Sequence, residues 1–539
     1  MINEMRKAMR QGMKIYMFVL NNCKRDARVL KEARSLARAG YQVRVIALLD
    51  KETEPYEHRD GFEIIRVVKN PVHYRLRRKV RVVRARLRRG MVLTLAYPVR
   101  KLRTRTWRSM KRGVAKNPLA RAIHRIGRKV RQDLKQSFEK SFSVILGRGR
   151  WLARWWSGLK TIKSTEERGI AMAIMVIAAV FIKSLLFFKN TLTYSVRTLF
   201  TAVCGFGRNL NQRLFLVMHR PLSFLDYYIR AYRVVKEDPG HIYHAHDLNT
   251  LPVAWWAKAR LGGKLVYDSH ELYVETSGIG RVEKLVMSQI EKFLIRHCDA
   301  VITVNESICK ELTKRYRITG PKAVIMNCPE VSLDCSETRS FHALLGLSSD
   351  IPVILYQGGF IKGRGLRNLI CAMLYVPHGC LVLLGWGREE EELRLLAATL
   401  DLLGKRVFFI PPVPQRELIK WTAGANIGAI TTRRTSLNNW YTLPNKLFEY
   451  IVAGIPVVAS DFPELRRIIE GYKIGRTFNP EDPKDIARAI KEVLDPKSYD
   501  TFKRNVREAA KIFNWQEEEK KLLGIYSRLT GEPSWGNSS

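Results

Sequence analysis

TLPNKLFEYIVAGIPVVASD, running from Thr442 to Asp461, decides how the rest of the chain is read. Leu443-Pro444-Asn445 is a turn signal, and Lys446 to Val452 has the spacing of an amphipathic helix. Ala453-Gly454 ends that helix, and Ile455-Pro456 leads into an apolar strand, Val457 to Ser460. Loop, helix, turn and strand in this order form one unit of a parallel α/β sheet. The free N–H groups of a helix start carry partial positive charge and suit a phosphate, and Lys446 adds a full charge. Glu449, about one turn further on, suits the vicinal hydroxyls of a ribose. A Rossmann-type helix bearing an ordinary solvated Lys and Glu fits these twenty residues equally well.

Working outward, the same alternation fills two domains. In the second, Val353 to Tyr356 reads as a strand followed by Gln357-Gly358-Gly359, the loop Ile361 to Gly365 and a helix through Tyr375. Cys380 to Leu384, Val407 to Ile410 and Ile427 to Ile430 are further strands. In the first, Lys14 to Leu20 is a strand, Asn21 to Asp26 a loop, and Arg28 to Arg38 a helix ended by Gly40. Tyr41 to Leu48 and Phe62 to Val68 follow as strands. The pattern resumes at His241 to His246, with a helix through Ala259 and strands at Lys264 to Ser269, Ala300 to Val304 and Ala323 to Met326. Strand and helix alternating at this spacing predict α/β, doubly wound parallel sheets. The expected boundaries are 1–70 with 220–340 for the first domain, interrupted by a largely helical insertion at 71–219. The second domain takes 341–510, a C-terminal helix 511–532, and a polar tail 533–539.

The insertion carries most of the charge. Between Arg75 and Arg168 stand 30 Lys or Arg against 4 Asp or Glu, more than half of a formal net charge of +44. Trp151, Trp155 and Trp156 follow the arginine clusters, and Gly169 to Phe188 is an apolar run broken by Lys183 and Ser184. Arginines, interfacial tryptophans and a long apolar run read as a membrane-surface module on an anionic membrane, spanning Arg75 to Phe188. Twenty residues suffice to cross a bilayer. Both flanks belong to one sheet, however, so a single crossing is excluded; this favours an in-plane or re-entrant helix over a hairpin with the weak partner Leu192 to Gly207. A helix buried in protein is the plainer alternative. Arginine with aromatics also describes a nucleic-acid surface, but no accompanying nucleic-acid motif is present.

Other residues point to chemistry by position. Arg364, after a Gly-rich turn at a strand end, suits a phosphate, with Lys446 as second cation. His270 follows an apolar strand, where open sheets face their ligand crevice, and Asp26 and Asp247 also follow strand ends. His244 and His246 alternate on one strand, and one is expected in the core. No Asp-x-Asp motif stands at a strand end, so the cationic charge is expected from protein rather than metal, with no cofactor. Eight scattered cysteines without a CxxC pair suit a reducing compartment. No signal peptide is visible at the start of the chain. These readings combine into a cytoplasmic protein, peripheral or monotopic on the inner face of the cell membrane.

The segment 442–461 resembles the donor-site signature of the retaining, nucleotide-sugar-dependent glycosyltransferases of family 4, which have the GT-B fold. The loop Asp26 to Val29, His244-Ala245-His246-Asp247, Tyr267 to Leu272 and the Gly358 loop follow in the family's order; the insertion is outside the resemblance. It implies two Rossmann-like domains facing across a cleft, a nucleotide-sugar donor bound mainly on the second, and a lipid-linked or saccharide acceptor on the first. Gly358, Gly359, Arg364, Tyr441, Asn445, Lys446 and Glu449 fall at donor-binding positions. Asp26, Asp247 and His270 fall on the acceptor side, and His270, Arg364 and Glu449 are the catalytic set. Domain closure would exclude water, the configuration would be retained, and the departing phosphate would help to deprotonate the acceptor. Two departures stand out. Tyr441 occupies the place of the acid that contacts the transferred sugar, and Gly359 that of a second basic residue. The implied activity is transfer to a membrane-associated glycolipid or polysaccharide precursor. A sugar-nucleotide epimerase or hydrolase of the same architecture, or a catalytically silent membrane adaptor, is the rival reading.

Overall fold

A computed structural model describes residues 10–70, 219–330 and 338–532. The membrane-surface module, Gly169 to Phe188 within it, and the tail 533–539 lie outside the described residues. The described residues before 73 and after 220 belong to one compact unit. Among the described residues no helix is long and apolar enough to cross a membrane.

This unit holds two sheets. The first has eight strands: β1 Lys14–Phe18, β2 Gln42–Leu49, β3 Tyr56–Arg59, β4 Phe62–Val68, β5 Ile242–His246, β6 Lys264–Ser269, β7 Ala300–Thr303 and β8 Lys322–Val324, in the order β3-β4-β2-β1-β5-β6-β7-β8. The second has six: β9 Val353–Gly359, β10 Cys380–Trp386, β11 Val407–Ile410, β12 Ile427–Ile430, β13 Val457–Ser460 and β14 Gly475–Phe478, ordered β11-β10-β9-β12-β13-β14. All pairs are parallel except β3 with β4, an antiparallel hairpin at the edge. The half-exposed YEHR of β3 has no apolar run, so the sequence pattern did not mark it. Gly358 and Gly359 were expected beyond the strand, yet they continue β9 because they pair with Gly385 and Trp386 of β10.

Successive strand residues bury on opposite faces, as a doubly covered parallel sheet requires. Ile15 and Met17 of β1 join a cluster with Val29, Ala33 and Leu36 of the helix Ala27–Arg38, while Tyr16 and Phe18 join the cluster on the other face. In the second sheet Ile354 and Tyr356 bury on one face and Val353 and Leu355 on the other. The last helix, Trp515–Leu529, returns to the first sheet: Trp515, Leu522, Ile525 and Tyr526 pack there, and Trp515 Nε1 donates to Ser35 Oγ at 2.9 Å.

Connection direction reverses between β1 and β5 in one sheet and between β9 and β12 in the other. Ligand crevices of open α/β sheets form at such reversals, beyond the carboxyl ends of the strands. Asp26 and Asp247 follow β1 and β5, and Gly358 and Gly359 end β9, so both crevices carry expected site residues.

Candidate functional site

The helix Asn445–Val452 starts after Pro444 and buries Leu447, Phe448, Tyr450 and Ile451, which leaves Lys446 and Glu449 on the opposite stripe. Lys446 reaches back to the end of β9. Its Nζ lies 3.6 Å from the Tyr356 ring centroid, and a Cβ on Gly358 would stand 3.3 Å from that atom. Burial pushes the Lys446 ammonium well below the usual lysine value, and repulsion from Arg364 pushes the same way. Among the described residues Lys446 makes no ion pair.

Arg364 is half-buried. Its carbonyl accepts from Thr431 Oγ1 at 2.6 Å, and Gly365 behind it has φ +70 with its Cα packed on the Thr431 carbonyl, where a Cβ would clash at 1.9 Å. Only glycine fits there, and this fixes the loop that aims Arg364. Gly359 has more room, since a Cβ would meet nothing closer than 3.9 Å.

Glu449 accepts from Gln357 Nε2, and Gln357 Oε1 accepts from Thr422 Oγ1 at 2.8 Å. Burial raises the Glu449 carboxyl above its ordinary value, partly offset by the Gln357 bond and by Lys446 and Lys31. Gln357 was not anticipated; the available signal was a polar residue closing an apolar strand.

Facing the second domain, His270 is held from both sides. Nε2 lies 3.0 Å from Asp268 Oδ2 and 3.1 Å from His246 Nδ1, Nδ1 lies 3.4 Å from Asp247 Oδ2, and the His270 N–H donates to Asp247 Oδ1. Asp247 takes φ +64, uncommon for a side chain, to make this contact. Burial alone would lower the His270 pKa, but Asp247 and Asp268 outweigh it and push it up to about 9. His270 is therefore an imidazolium at neutral pH.

Behind it lies a charged network drawn largely from the same motif segments. Arg28 forks onto Asp268 at 2.7 and 2.8 Å, donates to the Ile325 carbonyl, and lies 3.0 Å from Glu32 Oε1. His244 and His246 are both buried and stack at 4.3 Å, so the expectation that one is core understates the case. The signal was the spacing Arg28, Glu32, Ser35, which places polar residues on the buried face of an otherwise amphipathic helix. Glu32, His244, His246 and Asp268 have the composition of a metal site, with ligand atoms within 4.8 Å of one another. Arg28 already supplies the cation to both carboxylates.

Between the two sets lies a cleft of about 970 Å³, lined on one side by Asp26, Lys31 and His270 and on the other by Asn445 and Glu449. Lys31, also unanticipated, donates to the Cys328 carbonyl, lies 4.7 Å from the Trp515 ring, and is lowered to about 8 by burial. Of the expected site residues, Asp26, His270, Asn445 and Glu449 border this cleft. Gly358, Gly359, Arg364 and Lys446 gather at the end of β9, and Asp247 contacts His270. Asp26 caps its own helix, its side chain accepting from the Val29 N–H. Tyr441, of the expected donor-binding set, is placed at the contact between the two domains. It packs against the first domain's apolar cluster, and its carbonyl accepts from Asn305 Nδ2 at 2.8 Å, because an aromatic ring next to Leu437 finds an apolar surface there. Asn438 joins the same contact, accepting from the Leu272 N–H at 2.9 Å and donating to Glu271.

Comparison with known proteins is consistent with this arrangement. A family model described as glycosyl transferases group 1 matches residues 351–496, and one described as Glycosyltransferase Family 4 matches residues 192–329. The second match begins at 192, inside the segment assigned to the insertion, so the resemblance extends further back than its motifs indicated. A D-inositol 3-phosphate glycosyltransferase of Nocardioides sp. is 26% identical over 321 residues, covering 54% of this chain and 69% of its own. That of Xylanimonas cellulosilytica is 25% identical, covering 54% and 72%. In structure, a sucrose-phosphate synthase of Thermosynechococcus elongatus aligns with TM-score 0.59 at 16% identity over 97% of this chain and all of its own. A glycosyltransferase of Rickettsia africae aligns with TM-score 0.54 at 10% identity, covering 97% and 99%.

Proposed function

We propose that this chain, which has the GT-B fold and is similar to family 4 glycosyltransferases, moves a hexosyl unit from a nucleotide sugar to a hydroxyl of a membrane-associated acceptor, with retention at the anomeric carbon. The observation that carries the donor half is the convergence of Arg364 and Lys446 at the end of β9, where burial and then repulsion from Arg364 depress the Lys446 pKa. A diphosphate between them removes the repulsion and restores the Lys446 charge, so both stabilise the leaving group as its charge grows. Glu449 then takes the ribose hydroxyls.

The acceptor binds on the first domain. His270, already protonated at neutral pH, orients the acceptor and is not its base. The departing phosphate oxygen takes the hydroxyl proton, on the face where the new glycosidic bond forms. Asp26 and Lys31 on one wall and Glu449 on the other hold the reactants together, which replaces a bimolecular encounter by a positioned one. The acceptor is a glycolipid or polysaccharide precursor, and the protein works peripherally at the inner face of the membrane through Arg75 to Phe188. The exceptional basic excess of that segment supports this placement.

Thermal shift with a panel of nucleotide sugars tests the donor half, because a ligand of the native state raises the melting temperature without an acceptor. One base and sugar should stabilise the wild type, and Arg364→Ala and Glu449→Ala should each weaken that effect. Unchanged stabilisation in both variants would overturn the donor assignment.

A further inference from the structure

The helix Arg281–Leu294 buries Met287, Glu291 and Leu294 and turns a second apolar stripe away from the protein. Val282 is 77% exposed, Leu285 64%, Val286 50% and Phe293 53%. At 100° per residue the four fall on one face, separate from the buried one, over roughly 16 Å of helix. Water-facing valine, leucine and phenylalanine in such a row require a partner. The charges beside the row indicate which. Arg281, Lys292 and Arg296 are exposed and make no ion pair among the described residues, whereas Lys284 is engaged with Glu275 at 2.6 Å. Trp255 packs edge-on against Phe293 at 5.6 Å and adds an aromatic of the kind that sits at lipid headgroup level.

We propose that this helix face docks on an anionic lipid bilayer, its apolar row in the acyl boundary and its free cations on the headgroup phosphates. The placement has a consequence for substrate entry. The segment leaving β6 at Ser269 carries His270, touches the second domain through Ser277 Oγ and Thr435 Oγ1 at 3.1 Å, and then enters this helix. Its first turn therefore stands on the same edge of the sheet as His270, and docking brings the acceptor side of the cleft to the lipid surface. The purpose of the face rests on the proposed membrane-associated acceptor; its test does not.

Hydrogen exchange of the full chain, with and without vesicles of equimolar phosphatidylcholine and phosphatidylglycerol, reads this face directly. Protection at 281–297 is expected with these vesicles and not with phosphatidylcholine alone. Leu285→Glu with Val286→Glu, two exposed sites, should lower that local protection by about tenfold while leaving the melting temperature unchanged. Binding of the protein to vesicles without protection at 281–297 would overturn this docking face and leave the membrane-associated acceptor standing. Protection that needs no vesicles and grows with protein concentration would assign the face to a second copy of the chain and overturn the proposal equally.

Discussion

The Lys446 ammonium stands so close to Gly358 that a Cβ added there would lie 3.3 Å from Nζ, in a backbone conformation, φ +127, that side chains rarely adopt. Gly358 is thus required twice, by its own backbone and by the cation above it. Gly358→Ala should cost about 1–2 kcal/mol of stability and displace Lys446, which raises the donor KM more than it lowers kcat. Gly359→Ala, whose Cβ would make only ordinary contacts at 3.9 Å, is the matched control for stability and should leave it unchanged. Steady-state kinetics with denaturant melts of the two variants separates the effects.

His270 should give the enzyme a pH-dependent stability with a definite sign. Its folded pKa, about 9, lies above the unfolded value, so the protonated form is stabilised by Asp247 and Asp268. That contribution is complete below the unfolded pKa of about 6.5 and disappears as pH rises through 9, in all about 3 kcal/mol. Lys31, lowered to about 8, and Lys446 act in the opposite direction over part of this range, because their unfolded forms bind the extra proton. The difference in unfolding free energy between wild type and His270→Gln, followed from pH 6 to 10, therefore isolates the histidine. It should shrink toward high pH; a difference that stays constant would remove the imidazolium from the account.

Much of this arrangement was legible in the chain. Val457 to Ser460, Lys264 to Ser269 and Phe62 to Val68 were readable to the residue because each is a short stretch rich in β-branched, aliphatic and aromatic residues. The helix that carries Lys446 and Glu449 was legible because Pro444 and Gly454 bound it. Arg28, Glu32 and Asp268 were not, since their meaning arises only when β5, β6 and the helix Ala27–Arg38 meet across more than two hundred residues. The packing of Tyr441 was hidden for a related reason. Its sequence position belongs to the donor loop, but its ring belongs to the packing of the other domain.

The Arg28 fork predicts an asymmetric pair of variants. Arg28→Met removes the cation from two buried carboxylates and should cost about 3–5 kcal/mol, whereas Arg28→Met with Asp268→Asn, which leaves only the Glu32 carboxyl, should recover part of that loss. Urea melts of the single and double variants measure the coupling. Additive losses would mean that the fork contributes nothing beyond its separate contacts.

Replacing Tyr441 by the acid that the family carries at this position discriminates between two accounts of the residue. If its side chain were a donor contact, Tyr441→Glu would strengthen sugar binding and raise turnover. Packed instead against the first domain's apolar cluster, a carboxylate there loses its water without gaining a partner, which should cost roughly 1–3 kcal/mol. The contact that brings Leu437 and Asn438 onto the first domain should loosen with it, and turnover should fall rather than rise. Tyr441→Phe keeps the ring, and the tyrosine hydroxyl makes no hydrogen bond among the described residues, so that variant should match wild type. Melting temperature and turnover of the two variants, measured together, decide between a lost sugar contact and a lost interdomain seat.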